Sequence, residues 1–317
     1  MNMRSNKHMK KKRKRLRLRG ILTLIFLFVV IVSAISYFQY KQGLSQSLKD
    51  NAPEQTEYEF DGNKDQFGGT NVLILGSDAR ANETSSRADT IMIAHYHEDK
   101  GTFKVTSIMR DTYVNIPGHG YNKINSAFAF GGPDLLRQTI KENFDIDLQY
   151  YAIIDFNGFV RVIDEAFPKG VKVDVEKKMD KSDHIGVTIN PGEQYLDGKH
   201  LLGYVRFRHD AIGDFGRVDR QQKIIKEVAD QLTSIQKLPK LPKLVGVVKP
   251  YVNTNIKTSN LLFMGKDFLS GDRSKIKTFR IPVQGTFENR RIEGIGDVLW
   301  IDEEANKKAF HEFIQQP

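Results

Sequence analysis

Apolar residues are distributed along the chain in two distinct ways. Between Gly20 and Tyr40 they form one run that is dense in Ile, Leu, Phe and Val and holds no charged residue. After residue 68 they fall into short blocks separated by polar segments and glycines. A helix rises about 1.5 Å per residue, so the first run is long enough to cross the roughly 30 Å hydrocarbon core of a bilayer. The pattern therefore predicts a transmembrane helix over 20–40, followed by a folded body.

The first blocks of the body have the length and composition of β-strands. Asn71–Leu75 is a continuous apolar run, which is typical of a buried strand. Thr90–Tyr96 and Phe103–Met109 follow, joined by a short polar turn, and are expected to form a hairpin. If the turn centres near residues 99 and 100, paired positions have numbers that add up to about 199. This register predicts that Asp89 faces Arg110 at the open end of the hairpin.

Amphipathic and apolar segments alternate over the rest of the body. The spacing predicts helices over 126–130, 134–143, 157–167, 197–203, 217–236, 259–269 and 302–314. It predicts further strands over 150–154, 170–175, 204–208 and 276–283. Strands and helices that alternate over 250 residues without a second linker indicate α/β architecture. The predicted fold is a single large domain with a central mixed β-sheet flanked by helices, behind the transmembrane helix.

The net charge of +9 is concentrated at the N-terminus. Residues 1–19 hold ten Lys or Arg and no acidic residue, so the remainder of the chain is nearly neutral. Basic residues next to a transmembrane helix stay on the cytoplasmic side. This predicts a cytoplasmic basic tail (1–19), a signal-anchor helix in the cell membrane (20–40), an extracellular stalk (41–67) and an extracellular domain (68–317). Because this topology explains the basic tail, no nucleic-acid partner is expected.

Other features narrow the possibilities. A cleaved signal peptide is the alternative to an anchor, although its apolar core usually runs over only about 7–15 residues. The chain has no cysteine, which excludes a thiol nucleophile, a thiolate metal site and a disulfide. His95 and His97 share one strand face and are expected to be structural residues rather than metal ligands.

Four arginines lie within the segment Tyr204–Gln222, where a strand is predicted to lead into a helix. Arg206 and Arg208 alternate with apolar residues, so both side chains are expected on one face of the strand. Arg217 and Gln221 are four residues apart and share a helical face. Cations near a helix N-terminus interact unfavourably with the helix dipole, which costs free energy. A phosphate bound among them would turn this cost into a stabilisation. The alternative is a solvated basic face paired with the aspartates of the same segment.

Two acidic residues are predicted at the same edge of the sheet as these arginines. Asp78 follows the first strand and Asp89 opens the hairpin, with Arg87 and Arg110 beside them. The edge beyond the carboxyl ends of strands is where open α/β sheets usually bind ligands. Mg²⁺ takes oxygen ligands, often one or two carboxylates together with substrate phosphates. A diphosphate bound by the paired N–H donors of the arginines and by Mg²⁺ would give every residue of this set a role in binding.

Several sequence blocks resemble the LytR-CpsA-Psr family, and they occur in the family's order. The blocks are Leu75–Arg80, Arg87–Thr90, Met109–Thr112, Ile116–Gly118, Lys123–Ala127, Gly131–Pro133, Val205–His209, Gly213–Arg217 and Arg220–Gln222. They extend from Asn71 to Leu232, and no residue of the motifs is missing. A further segment, Lys249–Asn255, is similar to a staphylococcal branch of the family.

The resemblance implies a membrane-anchored enzyme of the Gram-positive cell envelope. Such enzymes move a phosphoglycan, for example wall teichoic acid, from a polyprenyl diphosphate carrier to peptidoglycan, typically to the 6-hydroxyl of N-acetylmuramic acid. The implied Mg²⁺ ligands are Asp78 and Asp89. The implied diphosphate ligands are Arg87, Arg110, Arg206, Arg208 and Arg217, with Gln221 hydrogen-bonding the diphosphate and Asp214 orienting the loop. The implied catalytic residues are Asp89, Asp78, Arg110 and Arg208, and the general base is Asp89 or Asp78.

Other functions use the same site. A polyprenyl diphosphate hydrolase would use water as the acceptor, and a non-catalytic regulator of the cell envelope would sense a lipid phosphate without turnover. The paired aspartates argue against a passive anion sensor, because they repel an anion unless a metal neutralises them. The native glycopolymer remains open.

The resemblance also implies an apolar tunnel for the lipid tail, between the sheet and the helices. Six phenylalanines are either tunnel lining or ordinary core, and core is the default expectation for each. They are Phe128, Phe130, Phe144, Phe156, Phe159 and Phe167.

Overall fold

The computed structural model describes residues 25–47, 55–77, 88–180, 182, 185–209, 212–232, 241–270 and 276–316. The strands in these ranges are β1 Thr70–Ser77, β2 Ala88–His97, β3 Thr102–Ile108, β4 Thr112–Ile116, β5 Gly120–Lys123, β6 Tyr150–Asp155, β7 Val171–Val175, β8 Gly192–Leu196, β9 Val252–Thr254, β10 Lys277–Ile281, β11 Phe287–Ile292 and β12 Gly296–Ile301. The helices are α1 Ile25–Ser47, α2 Ile124–Phe144, α3 Phe156–Ala166, α4 Gly198–Arg206, α5 Gly213–Leu232, α6 Leu241–Val248, α7 Thr258–Ser270 and α8 Glu303–Gln315.

The centre of the fold is a six-stranded sheet in the order β10-β3-β2-β1-β6-β9. It is mixed, because β1 runs antiparallel to β2 and parallel to β6, and β10 runs parallel to β3. A four-stranded sheet in the order β11-β12-β4-β5 and the β7-β8 pair complete the strands. The predicted α/β fold, a single domain with a central mixed sheet and flanking helices, is confirmed.

The predicted hairpin register is also confirmed. Ile91 pairs with Ile108, and His97 pairs with Thr102, so the numbers of paired residues add up to 199. Continuing this register past the last pair brings Asp89 and Arg110 together at the open end of β2 and β3. The strand ends therefore position two of the predicted site residues.

Two apolar cores hold these elements together. The first lies between one face of the six-stranded sheet and helices α2 and α8, and it includes Leu73, Ile91 and Phe310. The second joins α3, α4 and α5 to the β7-β8 pair, and it includes Val171 and Tyr204. Asp89 and Arg110 lie beside strands of the first core, and Arg208 and Arg217 belong to or follow helices of the second core.

The predicted strand over 204–208 is wrong. These residues are the last turn of α4 and an extended segment that begins at Phe207. Asp197 caps the helix by accepting a hydrogen bond from the backbone N–H of His200 at 2.9 Å. Leu201, Tyr204 and Val205 are all buried, and this i, i+3, i+4 spacing is that of a helix. The alternation over five residues was too short to distinguish the two structures.

The segment predicted as a stalk is not a free linker where the structure describes it. Residues 41–47 continue helix α1, and residues 55–67 run along the surface of the domain. The Gln55 amide donates to the carbonyl oxygens of Lys249, Pro250 and Val252, at 3.0–3.1 Å. Tyr58, Phe60 and Phe67 pack against the first core. These three aromatic side chains, set within a polar sequence, explain why the segment docks.

Helix α1 corresponds to the predicted transmembrane helix. It is 23 residues long and apolar enough to cross a membrane, and its large apolar side chains from Ile25 to Phe38 are exposed. The predicted boundary at Gly20 and the basic tail lie outside the described residues.

Candidate active site

The carboxylate of Asp89 lies among three guanidinium groups. Its Oδ1 is 2.6 Å from Arg110 Nη1, 3.3 Å from Arg208 Nη2 and 3.7 Å from Arg217 Nη1. Asp89 is at the start of β2, Arg110 follows β3, Arg208 follows α4 and Arg217 is in the second turn of α5. Four separate segments of the chain therefore converge on one carboxylate oxygen.

Asp214 is a second carboxylate within the same cluster. Its Oδ2 is 3.0 Å from Arg217 Nη2, and its Oδ1 is 3.6 Å from Arg208 Nε and 4.0 Å from Arg110 Nε. Asp214 lies in the first turn of α5, where a negative charge interacts favourably with the helix dipole. The same three arginines thus contact two aspartates.

A further ion pair extends the cluster on the side of β4 and β5. Asp111 Oδ1 is 2.7 Å from Lys123 Nζ, and Asp111 Oδ2 is 3.4 Å from Arg110 Nε. Sequence reasoning did not assign a role to Asp111 or Lys123, although both lie within family-like motifs. Their positions within these motifs could have identified Asp111 and Lys123 from the sequence.

The formal charges of the cluster almost balance. The three arginines and Lys123 contribute four positive charges, and Asp89, Asp111 and Asp214 contribute three negative charges. The described cluster therefore has a formal charge of +1.

Burial and neighbouring charges shift the protonation equilibria of the cluster. Burial raises the pKa of Asp214 above its ordinary value, although Arg110 and Arg208 act in the opposite direction. Burial also lowers the pKa of the Arg208 guanidinium, and the positive charge of Arg110 adds to this effect. For Arg110, burial opposes the charged form, but Asp214, Asp111 and Asp89 together raise its pKa. Burial and the neighbouring charges thus act against each other at Asp214 and at Arg110.

Two residues of α5 hold the cluster in place. Arg220 is buried, donates from Nη2 to the Phe207 carbonyl oxygen at 2.5 Å, and lies 5.1 Å above the Phe207 ring. This contact fixes the extended segment that carries Arg208. The Gln221 amide donates to Thr90 Oγ1 at 3.0 Å and so connects α5 to β2 beside Asp89. The sequence placed Gln221 in the site but gave no role to Arg220 or Thr90.

Arg206 does not share the position of Arg208, so the prediction that both point the same way is wrong. Its side chain is exposed, and its guanidinium carbon lies 4.2 Å from the centre of the Phe156 ring. Arg206 ends α4, whereas Arg208 belongs to the extended segment, and the change of backbone direction separates the two side chains.

Two predicted site residues, Asp78 and Arg87, lie outside the described residues. Within the described part of the chain, no group of three or more His, Asp or Glu is placed to hold a metal ion. Asp89 is the one described member of the predicted metal-ligand pair, and its Oδ1 already contacts three arginines. A hard cation that bound here would therefore take most of its oxygen ligands from another source.

The six phenylalanines differ in their surroundings. Phe128, Phe144 and Phe167 belong to the apolar cores. Phe159 is partly buried, Phe130 is exposed and stacks on His119, and Phe156 lies under Arg206. The default expectation of core therefore holds for three of them.

The second face of the six-stranded sheet carries apolar residues that are only half-buried. Leu73 and Leu75 are fully buried on the α2 side, whereas Ile74 on the opposite face is not. Half-buried apolar residues from β1, β2 and β6 share this second face, namely Ile74, Ala94, Ala152 and Ile154. Sequence reasoning missed this surface, because alternate strand residues look the same whether or not helices cover them closely.

Comparisons with known proteins agree with the fold and the motifs. The chain is 40% identical over 277 residues to the protein named Regulatory protein MsrR of Staphylococcus aureus, covering 87% of this chain and 84% of the relative. It is 31% identical over 272 residues to Polyisoprenyl-teichoic acid–peptidoglycan teichoic acid transferase TagT of Bacillus subtilis, covering 81% of this chain and 83% of the relative. The solved structure described as TagT bound to LI-WTA superposes with a TM-score of 0.63 at 29% identity, covering 83% of this chain and 95% of that chain.

The sequence profile of the LytR_cpsA_psr family matches residues 34–313. Since this match covers most of the chain, the protein belongs to the LytR_cpsA_psr family.

Proposed function

We propose that this protein is a phosphotransferase that moves an anionic glycopolymer, such as wall teichoic acid, from a polyprenyl diphosphate carrier onto peptidoglycan. The observation that carries the proposal is the convergence of Arg110, Arg208 and Arg217 on Asp89. The names of the relatives support it, since TagT is described as a teichoic acid transferase.

The arginines are suited to hold a diphosphate. A guanidinium presents planar, paired donors that match two phosphate oxygens, which a lysine ammonium does not. Asp89 and Asp214 contact these donors in the structure. We propose that the diphosphate takes over part of the guanidinium contacts, and that Arg87 contributes further positive charge. Additional charge is needed because a cluster of formal charge close to zero attracts a dianion only weakly.

We propose that Mg²⁺ supplies the rest of the positive charge. Asp89 and Asp78 would hold it, together with phosphate oxygens of the substrate. When bound, the ion would neutralise part of the phosphate charge and favour departure of the leaving phosphate.

The proposed reaction exchanges one phosphate bond for another. The peptidoglycan hydroxyl oxygen bonds to the phosphorus that carries the glycopolymer, and the bond from this phosphorus to the bridging oxygen breaks. Polyprenyl phosphate leaves with the electron pair, and Arg110, Arg208 and Arg217 stabilise the charge that builds up on it. The hydroxyl proton passes to a carboxylate, for which Asp89 is the first candidate and Asp78 the second.

The half-buried face of the six-stranded sheet is proposed to accommodate the polyprenyl chain. Ile74, Ala94, Ala152 and Ile154 form an apolar surface that helices cover incompletely. A membrane anchor brings the domain to a carrier that is itself confined to the bilayer, which raises their effective concentration. We propose that the basic tail stays on the cytoplasmic side, so that the domain lies on the outer side of the membrane with the peptidoglycan.

One experiment separates the proposed transferase from a hydrolase and from a regulator. The full-length chain is incubated with a lipid-linked disaccharide diphosphate, uncrosslinked peptidoglycan and magnesium, and the products are analysed by mass spectrometry. Transfer is expected to place sugar phosphate on the glycan strand. Release of sugar phosphate into water alone would identify a hydrolase, and an unchanged substrate that still binds would favour a regulator, as the name of the MsrR relative states.

A further inference from the structure

Helix α6 packs directly against the end of α1. A Cβ atom on Gly43 would overlap the carbonyl oxygen of Lys243, and a Cβ on Gly246 would overlap that of Tyr40. The Ser47 hydroxyl also donates to the Val247 carbonyl oxygen at 2.7 Å. Only glycines at the crossing allow the two backbones to approach this closely. The position of α6 relative to α1 is therefore defined by backbone contact.

This contact places α6 at the level where α1 leaves the bilayer. The exposed apolar side chains of α1 end at Phe38, and Lys41 is the first charged residue of the helix. Gly43 is five residues beyond Phe38, which corresponds to about 7–8 Å along the helix axis. Helix α6 therefore lies within the interfacial layer that borders the hydrocarbon core.

Helix α7 extends this layer and turns one face toward the domain. Its Gly265 packs on the Leu241 side chain at the start of α6. Asp267 accepts a hydrogen bond from the Tyr96 hydroxyl at 2.7 Å, and the Phe268 ring contacts the Phe103 ring edge-on at 5.1 Å. The face with Asp267 and Phe268 therefore covers the ends of β2 and β3.

Beside this face, one helical turn before Asp267, α7 exposes an apolar side chain. Phe263 is 66% exposed, and Leu262 beside it is only half-buried. None of the residues from Thr258 to Phe268 is buried, although Leu, Phe and Met are frequent among them. A helix of this composition with so little burial in its own domain is typical of a helix that lies in a membrane interface.

The charges around α6 and α7 match an anionic surface. Residues 241–270 contain four lysines and one acidic residue, Asp267, which accepts from the Tyr96 hydroxyl. Lys243 pairs with Glu165 at 3.4 Å and Lys249 donates to Thr258 Oγ1 at 2.8 Å. Lys257 just before α7 and Lys266 within it are both exposed, on either side of Phe263 in the sequence. Lysines in such positions reach lipid phosphates while an apolar side chain between them enters the acyl region.

We propose that α6 and α7 form a platform that rests on the anionic lipid surface, with Phe263 inserted at the acyl boundary. The protein then has two membrane contacts, the spanning helix α1 and this platform. A single helix leaves a domain free to tilt, whereas two contacts fix its orientation. The platform contacts Tyr96 at one end of β2, and Asp89 lies seven residues away, which places the arginine cluster about 23 Å from the platform along the strand.

The proposal rests on membrane anchoring by α1 and is independent of the reaction. Because the chain has no cysteine, F263C introduces one unique labelling position. The labelled full-length chain is placed in nanodiscs of phosphatidylcholine and phosphatidylglycerol that carry nitroxide-labelled lipids. Y121C is the matched control, since Tyr121 is also an exposed aromatic residue and lies on β5 of the four-stranded sheet.

The fluorophore at position 263 is expected to be quenched about twofold or more, and the fluorophore at position 121 is expected to keep its full emission. Omission of phosphatidylglycerol should weaken the quenching at position 263, because the lysines lose their anionic partners. If the fluorophores at positions 263 and 121 emit equally in loaded nanodiscs, the proposal that α6 and α7 rest on the lipid surface is wrong. Failure of both variants to enter nanodiscs would instead overturn the anchoring on which the proposal rests.

Discussion

Asp89 shows how single residues define this site. Its Oδ1 receives contacts from three arginines, and Asp214 contacts the same three. These carboxylates hold the three guanidinium groups close together in a partly buried place. An anionic substrate therefore meets a preorganised set of donors.

Replacement of Arg208 by Ala should reduce kcat about 10²–10³-fold, because the variant loses one donor to the developing phosphate charge. The side chain is 35% exposed, so the melting temperature should change little. Arg206→Ala is the matched control, since Arg206 is two residues away but stacks on Phe156 and does not contact Asp89 among the described ion pairs. Activity and melting temperature are measured for both. An equal loss in the two variants would contradict the separate positions of these arginines.

Buried His95 should make the free energy of unfolding depend on pH, and this effect does not involve the arginine cluster. It is buried, and its Nδ1 lies 2.5 Å from Asn71 Oδ1. The Asn71 amide nitrogen donates to the Asp147 carbonyl oxygen, so Oδ1 is the acceptor and Nδ1 carries the proton. Burial lowers the pKa of His95 to about 4, and nearby Lys104, His97 and Lys100 act in the same direction.

Between pH 6.5 and 4 the unfolded chain therefore binds a proton at His95 that the folded chain does not. The free energy of unfolding should fall as the pH falls through this window, by up to roughly 3 kcal/mol. Asp65 acts in the opposite sense, because burial raises its pKa and its ionisation destabilises the fold as the pH rises. Denaturant unfolding of His95→Gln should show a smaller slope than the unmodified chain. The exposed His119→Gln serves as control, and an unchanged slope in His95→Gln would refute the assignment.

At the scale of elements, the joint between α4 and α5 decides whether the arginines meet. Helix α4 ends at Arg206, and the extended Phe207 turns the chain so that Arg208 faces Asp89. Arg220 holds this joint through the Phe207 carbonyl oxygen and through Glu176 Oε1 at 3.4 Å. A buried arginine outside the charged cluster thus acts as a positioning residue.

Replacement of Arg220 by Lys should lower the free energy of unfolding by about 1–3 kcal/mol, because a lysine cannot contact both partners and leaves a buried acceptor unsatisfied. Turnover should also fall, since Arg208 loses its fixed position. Lys223→Ala is the control on the same helix, because Lys223 is half-exposed and contacts the Asp174 carbonyl oxygen and Glu176, whereas Arg220 holds Phe207. Denaturant unfolding and kcat are measured together. Normal turnover in Arg220→Lys would show that the joint does not position Arg208.

At the scale of the whole molecule, the cluster lies at one end of β2 and helix α7 at the other. The half-buried sheet face extends between these two ends. If the proposed lipid carrier lies on this face, the platform and the arginines would be at opposite ends of its binding surface.

The effect of magnesium on transfer activity tests whether the site needs positive charge beyond that of its arginines. A chelator should reduce transfer strongly, and magnesium should restore it, because the arginine cluster alone is nearly neutral. Asp89→Asn should lose both the activity and the response to magnesium. Asp219→Asn is the control, since Asp219 is exposed and pairs with Arg280 outside the cluster. Full activity in the presence of chelator would exclude the metal.

Much of the fold was predictable because it rests on short-range patterns. The β2-β3 register followed from the turn position, and the break in α2 followed from Gly131, Gly132 and Pro133. The strand predicted over 204–208 was wrong, because five residues fit both the two-residue period of a strand and the 3.6-residue period of a helix. Residues 204–206 are helical because Tyr204 and Val205 pack into the second core. Docking of residues 55–67 was missed because three aromatic side chains in a polar segment show no periodicity.

The sequence by itself determined the anchor helix, the α/β class and the residue types of the site, because each depends on local composition, period or motif. The tertiary structure alone decided that Arg208 and Arg217 meet Asp89 while Arg206 does not, and that Asp111, Lys123 and Arg220 complete the surroundings. It also decided that α6 lies against α1. These contacts join residues that are far apart along the chain, and their geometry depends on the packing of whole elements, which no local pattern contains.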